Sequence, residues 1–297
     1  MPMRKILTKL LVLIFCSLPV TAANHDDPWE GERYRKNSFI QEAWAKASID
    51  ELPLDETDET TEILDLGCGD GKLTWQLAIR AHHAKVHGLD LSANQIEAAS
   101  KLVDGDVIDR LSFSVGNAAD FHLDRSFDLI FSNAAMHWVE DQNGVVSCAS
   151  KHLKPGGMLY FLIPAKANLF KQLEDTRAHM TSLLKYAEYL ENYKSRTFSH
   201  SIDDYMLRLL NFGFTIKEIL LKPRHNVFDS YTQFANWVGA WLFSLFPEIP
   251  QNLQSEFLVD FCSTYMTQLG AFDQEGKIHY YGYMLKIVAT KNSLEAQ

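Results

Sequence analysis

From Glu62 onward, short apolar runs alternate with stretches in which apolar positions recur every third or fourth residue. The runs predict strands at 62–66, 85–90, 111–115, 127–132 and 157–163, and the periodic stretches predict helices near 71–81, 93–103 and 141–153. Such alternation writes a parallel sheet with helices on both faces, because each right-handed crossover needs a helix to carry the chain back. The pattern changes after Pro164. From Ala165 to about Phe212 it reads as helical, with Leu169, Leu173, Met180, Leu184 and Ala187 at helical spacing, which is where a cap could be inserted. Two late strands follow, "FTIKEILL" and "YYGYMLKIVAT", separated by two helical stretches rich in aromatic residues, 229–245 and 251–269. The expected fold is α/β, a doubly wound sheet of about seven strands, mostly parallel, with a helical cap at about 165–212. No internal repeat or low-complexity segment is present.

The first 23 residues stand apart. Arg4, Lys5 and Lys9 precede the apolar run "LLVLIFCSLPV", and "VTAAN" supplies small residues at the spacing a signal peptidase needs. The segment reads as an export signal or, left uncleaved, as an N-terminal anchor, with the main domain at 28–297. The run is short for a membrane span, and Phe15 before Cys16 is bulky where a lipoprotein site wants a small residue. The formal net charge is -10, and removal of residues 1 to 23 strips three cations and no anions, leaving -13. A chain this acidic, with no basic run, is repelled from a phosphate polymer, so nucleic acid is not an expected partner. A membrane is a partner only through an uncleaved anchor, and nothing points to a protein partner. The cysteines, Cys16, Cys68, Cys148 and Cys262, form no Cys-x-x-Cys, so neither a zinc site nor a disulfide framework is expected. Scattered thiols suit a reduced protein and sit poorly with export.

The stretch "TEILDLGCGDGKLTWQLA" places Gly67, Gly69 and Gly71 between a strand and a helix. A turn of this kind brings backbone N–H groups close to a ligand, with a helix N-terminus behind them. The dinucleotide pattern needs Gly-x-Gly-x-x-Gly, but Lys72 stands where its third glycine would fall, and no P-loop frame is present. Asp65, just before the first glycine, would repel a pyrophosphate and attract an ammonium or a sulfonium. On these residues the chain resembles the class I S-adenosylmethionine-dependent methyltransferases, whose first motif is similar to "ILDLGCGDG". The likeness runs from about Trp29 to the C-terminus, with specific motifs between 61 and 163. It implies a Rossmann-like fold and S-adenosylmethionine as cofactor. By this resemblance Asp65, Gly67, Cys68, Gly69 and Gly71 cradle the cofactor, and Asp90, ending "VHGLD", with Leu91 beside it, holds both ribose hydroxyls. One carboxylate can accept two hydrogen bonds from a cis-diol. "GNAADF" is similar to the adenine segment, with Asn117 where the family more often has Asp, followed by Ala118. "FDLIFSNAAMHWV", containing Asn133, resembles the fourth-strand motif, and "LKPGGMLYFLIP" the turn into the fifth strand.

The segment "YRKNSFIQEAWA" is similar to a helix of small-molecule carboxyl methyltransferases, the trans-aconitate, malonyl-thioester and juvenile hormone acid types. By that likeness Tyr34 and Gln41 cover the methionine end; the other reading is a surface amphipathic helix with Phe39, Ala43 and Ala47 facing the core. His137 and Trp138 follow the fourth strand, where the family faces its substrate. If the acceptor is a carboxylate, with a reference pKa near ~4, it is ionised at neutral pH and needs no base. If it is an amine, hydroxyl or carbon acid, a base is required, and His137 is the candidate; its other reading is a hydrogen-bonded wall residue. Trp138 offers a flat apolar surface to a pocket. The function expected is methyl transfer to a small molecule, most simply the carboxylate of an organic acid. The alternatives are transfer to N, O or C of another small molecule, or an exported protein that binds the cofactor without turnover. Lys194, Arg196, Arg224 and His225 are cations in the cap or late strands, and Trp237, Trp241, Phe243 and Phe246 form an aromatic cluster that lines a channel or belongs to the core.

Overall fold

The computed structural model describes residues 27–293 apart from 28, 30, 55–60, 104, 166–168, 199 and 270. The export or anchor segment read at 1–23, with Cys16, lies outside the described residues. Two helices, α1 (Gly31–Asn37) and α2 (Phe39–Ile49), precede the sheet. The chain then runs β1 (Glu62–Leu66), α3 (Lys72–Arg80), β2 (Lys85–Asp90), α4 (Ala93–Ser100), β3 (Leu111–Val115), β4 (Phe127–Asn133), α5 (Gln142–His152) and β5 (Leu153–Pro164). It continues through α6 (Leu169–Ser182), α7 (Leu184–Leu190), α8 (Ile202–Asn211), β6 (Phe214–Phe228), α9 (Tyr231–Leu245), α10 (Gln251–Leu269) and β7 (Ile278–Lys291).

The seven strands form one sheet in the order β3-β2-β1-β4-β5-β7-β6, parallel through β5 and antiparallel at β7 and β6. Alternation along each strand divides the buried side chains between two cores. Ile63, Leu129, Phe131 and Leu162 face α2, α3, α9 and α10, whereas Leu64, Leu66, Ile130 and Phe161 face α5 and α8. Burial of each such side chain contributes roughly 1.5–3 kcal/mol, so a polar substitution on either face is costly. The chain leaves β1 for β2 and β3 on one side, then crosses to β4 on the other. The crevice opened at the strand ends by that reversal is where an open α/β sheet binds its ligand.

The helical stretch read at 165–212 goes to two places. Helices α6 and α7 pack with each other, and α6 packs on α10. A segment without regular structure, 193–198, separates them from α8. Helix α8 begins at a capping box, in which Ser201 N–H donates to Asp204 Oδ2 (2.9 Å) and Asp204 N–H to Ser201 Oγ (3.1 Å). Buried Tyr205 and Leu209 then seat α8 on the sheet side near β6. Strands β5, β6 and β7 all extend beyond their apolar runs. Among the described residues no helix is long and apolar enough to cross a membrane, and no group of His, Cys, Asp or Glu could hold a metal ion. Cys68, Cys148 and Cys262 are buried and free.

Candidate active site

The turn after β1 is tied to β2, since the N–H groups of Gly67 and Cys68 both donate to Leu89 O (2.7 and 3.1 Å). Gly67 has φ +75, and a Cβ there would lie 2.3 Å from the Ala135 Cβ, so backbone conformation and close approach both demand glycine. The turn in turn reaches Asp90 at the tip of β2. Gly69 N–H donates to Asp90 Oδ2 and Ser92 N–H to Oδ1, each at 2.9 Å, which fixes the carboxylate while each oxygen keeps a lone pair. Burial raises the Asp90 pKa, and these two N–H groups oppose the rise.

A cavity of about 620 Å³ opens over this turn. Asp65, Gly67, Cys68, Gly69, Asp90, Leu91, Asn117, Ala118, Asn133, Tyr34, Gln41 and Trp138 all line it. Gly71 does not: it lies beneath the turn, where a Cβ would meet Ala99 Cβ at 2.6 Å, and its role is packing. Asp65 is 2% exposed and accepts from Thr74 Oγ1 (2.7 Å). Burial pushes its carboxyl up to about 7, with Asp90 and Asp70 adding to the rise and Thr74 opposing it. Asn117 Oδ1 accepts from Ala119 N–H (3.0 Å), and Asn133 Nδ2 donates to Gln41 O (3.4 Å). Asn133 Oδ1 is buried without a hydrogen bond, an acceptor left over in the cavity wall.

The N-terminal helices are clamped onto the turn. Arg35 donates to Asp70 O (3.1 Å) and to Ala98 O, and Lys72 pairs with Glu42. These contacts hold Tyr34 over Gly69, with its ring 3.8 Å from where a Cβ would stand. Burial raises the Tyr34 pKa far above its ordinary value, helped by Asp70, Asp90 and Glu42, so the phenol stays protonated. Trp29 stacks edge-on against both Tyr34 (5.5 Å) and Trp138 (5.1 Å).

Beyond these rings lies a chamber of about 80 Å³. Trp29, Tyr34, Gln41, Ala134 and Trp138 border both spaces, so the two adjoin along these residues, a boundary termed the passage. Ala134, with φ 51, is the non-glycine residue with positive φ among those described, and this strained turn sits in the passage. Trp44, His137, Trp237, Trp241 and Tyr280 supply much of the remaining chamber wall. Burial drives the His137 imidazole down to about 3, with His200 adding to the effect, so it is neutral at ordinary pH; its Nδ1 is buried without a hydrogen bond. Of the four cations noted in the sequence, Arg196 lines the larger cavity, where it pairs with Glu248 (2.9 Å). Trp237 and Trp241 line the chamber, while Phe243 and Phe246 pack against Phe257.

Residues 57–227, more than half of the chain, match the family described as "Methyltransferase domain". The chain belongs to this methyltransferase family. The methyltransferase is 35% identical over 140 residues to a trans-aconitate 2-methyltransferase of Deinococcus radiodurans, covering 46% of this chain and 50% of that protein. It is 34% identical over 128 residues to a malonyl-[acyl-carrier protein] O-methyltransferase of Priestia megaterium, covering 43% and 46%. It thus spans about half the length of these curated relatives. A solved geranyl diphosphate methyltransferase, in complex with GPP and sinefungin, shares the fold at 18% identity and TM-score 0.50, over 84% of this chain and 77% of that one.

The donor set of the site fits S-adenosylmethionine, the cofactor that the sequence resemblance implies. The unpaired Asn133 oxygen and the acids Asp65 and Asp70 suit a cationic amino-acid end, and the Asp90 lone pairs suit a diol. Sequence reasoning missed Asp27, Asp70 and Ser92 among the lining residues. Asp70 stands inside the glycine motif and could have been read there as a second acid. Asp27 accepts from Ser92 Oγ (2.8 Å) and Asn94 N–H (3.1 Å), a contact across 65 residues that no local pattern announces.

Proposed function

We propose that this chain transfers a methyl group from S-adenosylmethionine to a carboxylate of a small organic acid bound in the aromatic chamber. The observation that carries the reading is the passage: five residues border both the cofactor-sized cavity and the chamber, so a group in the chamber meets whatever fills the methionine end. The two relatives named for trans-aconitate and for a malonyl thioester support the acid class. When bound, the sulfonium supplies a methyl carbon with a neutral leaving group. A carboxylate acceptor is already ionised, so the protein has to align it and keep water away. Trp29, Trp138 and Tyr34 wall the passage and exclude water, and neutral His137 offers a polar contact without a competing charge.

A second reading, transfer to a nucleophile that must lose a proton, has one feature in its favour, the buried His137 Nδ1 without a hydrogen bond, and one against it, since burial that lowers the ring's pKa to about 3 makes it a weak base. Incubation with methyl-labelled cofactor and a panel of mono-, di- and tricarboxylates separates the two. An alkali-labile product, formed at an unchanged rate by His137→Asn, is expected. An alkali-stable product, lost in that variant, would overturn the carboxylate reading.

A further inference from the structure

Trp237 and Gln41 are separated by 196 positions, yet the Trp237 indole N–H donates to Gln41 Oε1 at 3.1 Å. An indole nitrogen can only donate, so the amide atom it meets must be oxygen, and the orientation of this amide is settled by chemistry. The NH2 end is then the part of the amide left for the passage, which Gln41 borders from both sides. Neither partner is loose. Trp237 is 4% exposed and wedged between Phe228, Trp241 and Tyr280, with ring centroids at 5.3, 5.6 and 4.9 Å. The Gln41 backbone carbonyl is held by Asn133 Nδ2, at the end of β4 (3.4 Å). Turning the amide over would set its NH2 against the indole N–H, donor against donor.

We infer that Trp237 is a positioning residue for acceptor choice: by holding Gln41 with its NH2 end toward the passage, it makes the passage receive groups that bear lone pairs and refuse an ammonium. The inference rests on the reading that the chamber receives the acceptor, and it goes further by naming what sets the acceptor class. A tryptophan serving only to fill the chamber could be replaced by phenylalanine with little change in selectivity. One that orients an amide through its N–H could not.

The test uses the full chain saturated with S-adenosylhomocysteine, with phenylacetate and phenethylamine as matched acid and amine probes, their affinities measured by calorimetry. Phenylacetate suits a chamber of about 80 Å³, which has room for roughly six waters. Wild type is expected to prefer the acid. Trp237→Phe should weaken phenylacetate about fivefold, the worth of one hydrogen bond, and narrow its advantage over the amine, with S-adenosylhomocysteine affinity unchanged. Gln41→Glu, nearly isosteric, should cost phenylacetate more than about tenfold and favour phenethylamine, and adding Trp237→Phe to it should cost the acid nothing more. Equal shifts for both probes in Trp237→Phe, a wild-type preference for the amine, or binding of neither probe by the saturated protein overturns the inference. Failure of wild type to bind S-adenosylhomocysteine sinks the methyltransferase reading instead.

Discussion

Replacement of Asp65 by Asn should make the fold more stable and the cofactor weaker, with a pH signature that identifies the cause. Asp65 is buried, and its carboxyl is pushed from 3.8 to about 7 by loss of water, with Asp90 and Asp70 contributing. Between these two values the native protein holds a proton that the unfolded chain has released. Stability attributable to this group is therefore full below about pH 4 and is lost as pH rises toward 7. Between pH 4.5 and 8 the loss amounts to about 3 kcal/mol, at roughly 1.4 kcal/mol per pKa unit. Asparagine keeps an oxygen for the Thr74 hydroxyl (2.7 Å) and carries no charge, so the variant lacks this dependence. Urea unfolding of both proteins at pH 4.5 and pH 8 measures the difference, and titrations common to both largely cancel. The variant should gain about 3 kcal/mol on wild type between the two pH values. It should also lose affinity for S-adenosylmethionine and S-adenosylhomocysteine alike, because the missing charge faces the amino group that both carry. A stability difference constant within about 1 kcal/mol across that range would refute the reasoning.

Asp90→Ala removes the acceptors proposed for two ribose hydroxyls. Charge-assisted bonds are worth about 1.5–3 kcal/mol each, so calorimetry should show S-adenosylhomocysteine weakened by at least ~100-fold; a change below about threefold would dismiss the ribose assignment. Gly67→Ala adds a Cβ at 2.3 Å from Ala135 to a residue at φ +75, whereas Gly156→Ala at φ +78 meets nothing within 4 Å. Strain alone costs about 1–2 kcal/mol at either position, and overlap adds to it only at Gly67. Urea midpoints should therefore fall further for Gly67→Ala, and equal falls would mean that the close approach is unimportant.

The central sheet was legible because its strands are short apolar runs between turns. Strands β1, β2 and β3 have the bounds expected from the runs at 62–66, 85–90 and 111–115. Strand β6 continues seven residues past "FTIKEILL" because its polar residues are paired across the packing: Lys222 with Glu51, and Asn226 Oδ1 with the Trp44 indole. No periodicity displays such partners in advance, and Pro223, which a strand interior disfavours, is accommodated by the edge position of β6. The stretch 193–198 lacks glycine and proline, so it read as helix, yet it has no regular structure, and Phe198 N–H donates to His137 O (2.7 Å). The glycine turn and Asp90 were readable because backbone geometry leaves a residue signature. The aromatic chamber was legible only in part: Trp138 was read as a pocket wall and Trp237 and Trp241 as channel or core, whereas Trp44 and Tyr280 come from distant segments and a buried ring has the same sequence pattern in a core as in a pocket wall.

The most direct measurement is a crystal structure of the chain grown with S-adenosylhomocysteine. The account predicts the nucleoside above Gly67–Gly69, both ribose hydroxyls on the Asp90 carboxylate, the amino group within reach of Asn133 Oδ1, and the sulfur facing the passage beside Gln41 and Trp138. Ligand density elsewhere, or a nucleoside in this cavity with Asp90 turned away from its ribose, would contradict it.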